Sequence, residues 1–315
     1  MSIRRLKYFV KIVDVGSITL ASDVLYVAQP SLSQHIASLE AEFNQQLLVR
    51  TAKGVTPTEA GKILYRHAQG ILKQLDQARA EVGSASTGLK GKVSVGLSPG
   101  TAASKLALPL LRAVRARHPE LLLHLNENFG TSLADQISDN RMDMAVIYAQ
   151  KPMTGLSLTP LLHEELVLII PAGLDFPGVK MGLREAAEVG LLMLRPHNEI
   201  RRLVDEALHR EKCTPRVVAE IESIPTLVSA MANGIGCTVL PLSAAQLVGR
   251  ACPSRLVRLA DRNSRVSLTL CTSDRLAMSP PAVAVRALLM ELAEDLAPSI
   301  GAIQSLELGE LLSES

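Results

Sequence analysis

Cysteine is scarce in this sequence. Cys213, Cys237, Cys252 and Cys271 are its four, all in the last third, and no CxxC or other metal-ligand spacing relates them. Free thiols buried in a reducing compartment are the reading this leaves, with no metal and no cofactor implied. Long apolar runs are missing too. None approaches the roughly 20 residues of a membrane span, and Lys7, Lys11 and Asp14 interrupt any secretory h-region near the start. The expected compartment is the cytoplasm, with no membrane partner. A strong charge of either sign is also absent, the formal net charge being +2. Its distribution says more: residues 1–90 carry 11 Lys and Arg against 7 Asp and Glu, so a modest basic bias lies at the N-terminal end.

What is present is a folded chain, 47% hydrophobic and 20% charged over 315 residues, long enough for two or three domains each with its own core. The most informative stretch runs from Ser17 to Glu40, where two short amphipathic helices fit with a turn between them. The first opens at Ser17, whose hydroxyl suits an N-cap, and buries Ile18, Ala21 and Leu25. Tyr26, Val27 and Ala28 make the turn. The second starts near Gln29 and Pro30, since proline loses nothing by lacking an N–H in a first turn. Its buried side is Leu32, Ile36 and Leu39, at i, i+4 and i+7. Gln29, Ser31, Ser33, Gln34, Ala37 and Ser38 remain on the other faces, small or amide-bearing and none acidic. Such a surface can enter a major groove, glutamine pairing with adenine and serine bonding to either partner. An ordinary helical hairpin would also suit this window, and the flanking segments must decide.

Upstream, Arg4 to Val15 places Leu6, Phe9, Val10 and Val13 on one face of a supporting helix that ends at Gly16. Downstream, Val49 to Thr56 has β-formers around a Lys53-Gly54 turn, which reads as a two-stranded wing with Arg50 and Lys53 placed for phosphate or a minor groove, or else as a basic surface hairpin. Thr56-Pro57-Thr58-Glu59 is a helix start, with Thr56 or Thr58 as cap. In the helix that follows, Leu64, Ala68, Ile71, Leu75, Ala78 and Val82 alternate steps of four and three. That spacing is a coiled-coil seam, and it implies a dimer through this helix unless the helix packs on its own domain. Residues 83–88 are small and hinge-like.

Beyond the hinge the pattern becomes strands alternating with helices: strands near Val93–Leu97, Leu121–Leu125, Met144–Tyr148, Leu166–Ile170, Leu191–Leu194, Val217–Ile221, Cys237–Leu240 and Val266–Cys271, with helices near Thr101–Arg117, Ser132–Asp139, Ile200–His209 and Pro225–Asn233 and a last helix at Ala282–Leu296. Repeating βαβ units predict parallel sheets with helices on both faces, arranged as two α/β lobes around a cleft. No enzyme motif survives inspection. Gly96-Leu97-Ser98-Pro99-Gly100 fits the G-x-S-x-G pattern, but Pro99 has no N–H to give an oxyanion. His163-Glu164-Glu165 is not HExxH, and Gly234-Ile235-Gly236 lacks the third glycine of a dinucleotide fingerprint.

The chain as a whole resembles a LysR-type transcriptional regulator. The residues that carry the likeness are Ser17, Thr19, Ala21, Leu25, Gln29-Pro30, Ser33, Ile36, Leu39-Glu40, Leu47, Arg50, Thr58 and Ala60-Gly61. The stretches RRLKYFVKIVD, GVTPTEAGKILY, SPGTAAS, MDMAVIY and EIESIPTL most resemble members that control nitrogen assimilation. Four positions depart from the family pattern: Ser22 stands for a packed Ala, Asn44 for Gly, Leu48 for Phe and Gln34 for a frequent Arg. The resemblance implies a winged helix-turn-helix over 1–58, a linker helix and hinge over 59–89, and a two-lobed α/β effector domain like periplasmic binding proteins over 90–298. Lobe one would be 92–161 with 267–298, lobe two 162–266, and 299–315 a tail. It implies DNA contacts at Ile18, Thr19, Ala21, Gln29, Pro30, Ser31, Ser33, Gln34, Ala37, Arg50 and Lys53, a partly palindromic operator, a homodimer or homotetramer, and RNA polymerase as a further partner. Small effectors of such regulators sit in the cleft, where Ser98, Gly100, Thr101, Thr131 and Thr226 are candidates that could equally be helix caps, although the nitrogen regulators this chain most resembles are not expected to require one. A solute-binding protein without DNA affinity would share the two-lobed half. It would, however, call for an export signal and have no use for the narrow-striped helix.

Overall fold

The computed structural model describes residues 1–51, 54–84, 89–100, 102–174, 183–259 and 265–313. The chain divides into two compact units, Met1–Gly88 with Asp139–Arg141, and Leu89–Ser138 with Met142–Ser315.

The first unit begins with α1 (Ile3–Val15), capped by Ser2, and closes it at Gly16, whose φ of 69° lets its N–H reach the Ile12 carbonyl. Helix α2 (Ile18–Leu25) follows with Ser17 accepting from the Leu20 N–H, then Tyr26 at φ 53° turns the chain into α3 (Gln29–Phe43). Strands β1 (Leu48–Thr51) and β2 (Gly54–Pro57) pair antiparallel from Leu48↔Pro57 to Thr51↔Gly54. Helix α4 (Glu59–Ser84) completes the unit. Its cap is Thr58, whose Oγ1 accepts from the Gly61 N–H at 3.0 Å, because Pro57 is still the last residue of β2. Leu6, Phe9, Ile12, Ile18, Ala21, Leu32, Ile36 and Leu39 form the core with Leu47, Leu48, Leu64 and Ala68.

Two expectations change here. The buried stripe of α1 is Leu6, Phe9 and Ile12, with Val10 and Val13 only half-buried. The seam on α4 is split: Leu64 (9% exposed) and Ala68 (0%) belong to the unit's own core, where Tyr65 also donates a hydrogen bond to Asp14 of α1. Burial and that carboxylate together raise the Tyr65 phenol's pKa. Leu75 is half-buried, Ala78 is exposed and Val82 is 80% exposed. The departures from the family pattern fit locally. Ser22 donates to the Thr19 carbonyl at 2.7 Å, Asn44 takes the left-handed C-cap at φ 50°, and Leu48 is buried in the core.

The second unit runs β3 (Gly91–Leu97), a π-helical turn (Ala102–Leu106), α5 (Ala107–Arg117), β4 (Leu121–Glu127), α6 (Gly130–Ser138), β5 (Met144–Tyr148) and β6 (Leu156–Pro171). It continues with α7 (Leu183–Val189), β7 (Leu191–Met193), α8 (Glu199–Arg210), β8 (Val217–Glu220), α9 (Ile224–Ala232) and β9 (Thr238–Pro241). It ends with α10 (Leu242–Ala251), β10 (Ser254–Arg258), β11 (Arg265–Ser273) and α11 (Pro280–Ser313). The sheets are mixed, not parallel as the βαβ pattern predicts. Strands β4, β3 and β5 are parallel, but β11 pairs antiparallel with both β5 and β6. The first part of β6 lies along β11, and from Leu166 onward β6 pairs antiparallel with β9 and β10 instead. A bridge between Leu191 and Cys237 joins β9 to the parallel pair β7 and β8. Cys237, Cys252 and Cys271 are buried and Cys213 is half-buried, and the four form no disulfide with one another. Burial pushes the Cys237 thiol up to about 11 and Cys271 up to about 12.

Gly61 fixes how α4 meets β1, since a Cβ there would lie 2.0 Å from the Leu47 carbonyl oxygen, with backbone on both sides. Gly61→Ala is therefore expected to destabilise the first unit by about 2 kcal/mol, read as a lower urea midpoint of the purified protein.

Candidate nucleic-acid interface

Alternation of buried and exposed positions decides which side of α3 is available. Leu32, Ile36 and Leu39 are buried, while Gln29, Pro30, Gln34 and Ala37 are exposed and Ser31, Ser33 and Ser38 half-buried. No side chain caps the first turn of α3, whose N-cap is Ala28. Over Gln29–Ser38 the exposed face therefore consists of amides, hydroxyls, a proline ring and a methyl group, with no carboxylate; the exposed Glu42, farther along α3, pairs with Arg5 and the N-terminal amine. Thr19 on α2 is exposed as well. Ile18 (5% exposed) and Ala21 (0%), expected among the DNA contacts, are core residues. Both lie on the side of α2 that packs inward, so their side chains belong to the core and not to the exposed face.

The wing strand lies beside this helix. Arg50 is exposed, and its Nη2 donates to Ser33 Oγ at 3.5 Å, so a guanidinium borders the hydroxyl face of α3. Lys53, expected at the wing tip, lies outside the described residues. At the other end of β1, Glu40 Oε1 accepts from the Leu47 N–H at 2.9 Å and from the Leu48 N–H at 3.2 Å. Sequence reasoning gave Glu40 no such place, because its partners lie seven and eight residues downstream, beyond the turn that ends α3 and at the entry to β1. Tyr26, 96% exposed at the left-handed turn before α3, is also larger and more exposed than a turn residue needs to be.

In the second unit a cleft of about 150 Å³ is lined by Ser98, Thr131, Tyr148, Gln150, Lys151, His197 and Asn198 among others. Of the five effector candidates, Ser98 and Thr131 line it and Gly100 and Thr226 do not, while Thr101 lies outside the described residues. Thr226 takes part in the α9 cap, its hydroxyl donating to Ser223 Oγ at 3.0 Å. Ser98 is 3% exposed and its Oγ has no hydrogen-bond partner among the described residues. Behind the cleft Glu164 is fully buried on β6, accepting from Tyr148 Oη at 3.1 Å and from the Ser243 hydroxyl and N–H at the start of α10.

Residues 3–62 match the family described as bacterial regulatory helix-turn-helix protein, lysR family, and residues 86–294 match the LysR substrate binding domain. The nitrogen assimilation regulatory protein nac of Klebsiella aerogenes is 47% identical over 93% of this chain and 95% of its own length. The protein of the same name in Escherichia coli K12 is 47% identical over 92% of this chain and 94% of its own. Among solved structures, a full-length OxyR variant from Pseudomonas aeruginosa superposes with a TM-score of 0.69 at 23% identity, covering 93% of this chain and 94% of that one. Full-length CbnR complexed with its target DNA gives 0.65 at 19% identity, covering 94% and 100%. At those identities the two structures speak for the fold alone. With both family segments matched, and near-full-length identity far above the fold-only level, the chain belongs to the LysR family of DNA-binding transcriptional regulators.

Proposed function

We propose that this chain regulates genes of nitrogen assimilation from within the cytoplasm, as activator, repressor or both. The observation that carries the reading is the 47% identity, over 93% of the chain, to a relative named for that regulation. In this reading α3 enters the major groove of a partly palindromic operator. Gln29, Ser31, Ser33 and Gln34 meet base edges while Pro30 and Ala37 give apolar contact. Thr19, Arg50 and Lys53 hold the backbone or the minor groove. With glutamine at position 34, that site offers an amide suited to adenine and no guanidinium for guanine. RNA polymerase at the promoter is the second macromolecular partner, and the cleft holding Ser98 and Thr131 is the place for a small effector.

Two chains are joined through the C-terminal part of α4, as a dimer or a pair of dimers. The half-buried Leu75 and the exposed Ala78 and Val82 support this, because they continue the apolar stripe past the point where the unit's own core ends. The domain scheme set out from the resemblance, with a DNA-binding part to residue 58, a linker helix to 89 and an effector part to 298, belongs to the same proposal.

Genome-wide mapping of bound sites tests the pathway, the expected result being enrichment at promoters of genes for nitrogen use. Gln29→Ala or Ser33→Ala is expected to cost about 1–3 kcal/mol of discrimination between the preferred duplex and a mismatched one, in competition titrations. Arg50→Ala should instead weaken binding to all duplexes alike and lower the salt slope by about 1. Leu75→Glu with Val82→Glu is expected to elute from a sizing column as a monomer and to bind the duplex weakly. A tight dimer from that variant would refute the proposed seam.

A further inference from the structure

The strongest unexplained group in the first unit is an acid in an unfavourable place. Glu40 sits near the C-terminal end of α3, where the helix dipole disfavours a carboxylate and no basic residue of the last turn offsets it. The same helix faces a polyanion in the proposed complex. Its carboxylate is instead matched to two backbone N–H groups, those of Leu47 and Leu48, which enter and begin β1. Charge-assisted bonds of this kind are among the stronger ones, and a single oxygen gathering two successive N–H groups fixes both position and direction of the strand.

The other tie between α3 and β1 is Arg50 to Ser33. Ser33 and Glu40 are seven positions apart, two helical turns or about 10.5 Å, and so lie on one side of α3. Leu48 and Arg50 are about 7 Å apart along a strand. Strand β1 therefore runs alongside α3, antiparallel to it, held at the C-terminal end by Glu40 and resting on Ser33 near the N-terminal end. The Leu47 carbonyl in turn accepts from the Thr58 N–H at 2.9 Å, and Thr58 Oγ1 donates to the Gln46 carbonyl at 2.7 Å while capping α4. The peptide that Glu40 holds is thus the meeting point of the helix, the wing and the long helix.

We propose that Glu40 is a positioning residue for DNA binding: its clamp on the Leu47 and Leu48 amides sets the spacing between α3 and the wing, so that Arg50 and the hydroxyl face of α3 engage one duplex together. This rests on the reading of α3 and the wing as the DNA-contacting elements. Glu40 itself touches no DNA in this scheme; it acts through Arg50.

The test uses the full-length protein and the tightest duplex recovered by selection from random DNA, titrated over a range of salt concentrations. Glu40→Gln keeps an oxygen at the same reach and is expected to retain the parent's salt slope. Glu40→Asp keeps the charge but shortens the reach, and is expected to lose about 1 from the slope, as Arg50→Ala does in the parent. Combining Glu40→Asp with Arg50→Ala should lower the slope no further. The slope counts contacts per bound molecule, so a reduced folded fraction shifts apparent affinity without moving it. A parent slope in Glu40→Asp, a loss in Glu40→Gln equal to that in Glu40→Asp, or additive losses in the double variant would each overturn the role of Glu40. If the parent prefers no duplex, or Arg50→Ala leaves its slope unchanged, the underlying reading of the interface fails instead.

Discussion

A helix can present one side to a duplex only while its opposite side is held. Here Leu32, Ile36 and Leu39 do the holding, all three buried in the core of the first unit. Turning α3 by one residue, about 100°, would bring Ser33, Ala37 and Glu40 to the core side and expose three aliphatic side chains. Burying a carboxylate and exposing that much apolar surface are both unfavourable by several kcal/mol. The amide and hydroxyl face is therefore outward because leucine and isoleucine cannot be. Everything proposed about base contacts follows from that rotation, and the same core takes in the side chains of Ile18 and Ala21.

The second unit uses polar burial differently. Its cleft is bordered by helix starts at Gly130 of α6 and around Asn198 of α8, and by Ser98, whose hydroxyl has no partner among the described residues. One carboxylate is already built in behind the cleft, where Glu164 binds Tyr148 of β5 and the first turn of α10. A buried acid with matched donors on two elements stiffens the wall of the cleft, while Gln150, Lys151 and His197 at its lining are exposed, Gln150 Nε2 donating to the Arg265 carbonyl at 2.6 Å.

Periodicity made the DNA-reading half legible, because α2, α3 and their caps are local features: Ser17, Pro30 and the 32, 36, 39 stripe all act within a few residues of one another. The seam on α4 was legible as a stripe but not as to its partner, since steps of four and three do not say whether Leu64 meets its own chain or another. Helix α10 was missed because it is apolar or small nearly all round, with Leu242, Ala244, Ala245 and Val248 buried together with Ser243, leaving no stripe to read. The first half of β6 was missed because Pro160 argues against a strand. It is accommodated next to the register shift opposite Leu268 and Thr269. The Glu40 clamp had no local signature at all.

Strand β6 is an outer strand of one array, beside β11, and an inner strand of another, between β9 and β10. Neither half of the second unit can then be excised as a folding piece, because a cut within Leu156–Pro171 deprives both arrays of hydrogen-bond partners at once. The two arrays share one covalent and hydrogen-bonded spine in β6.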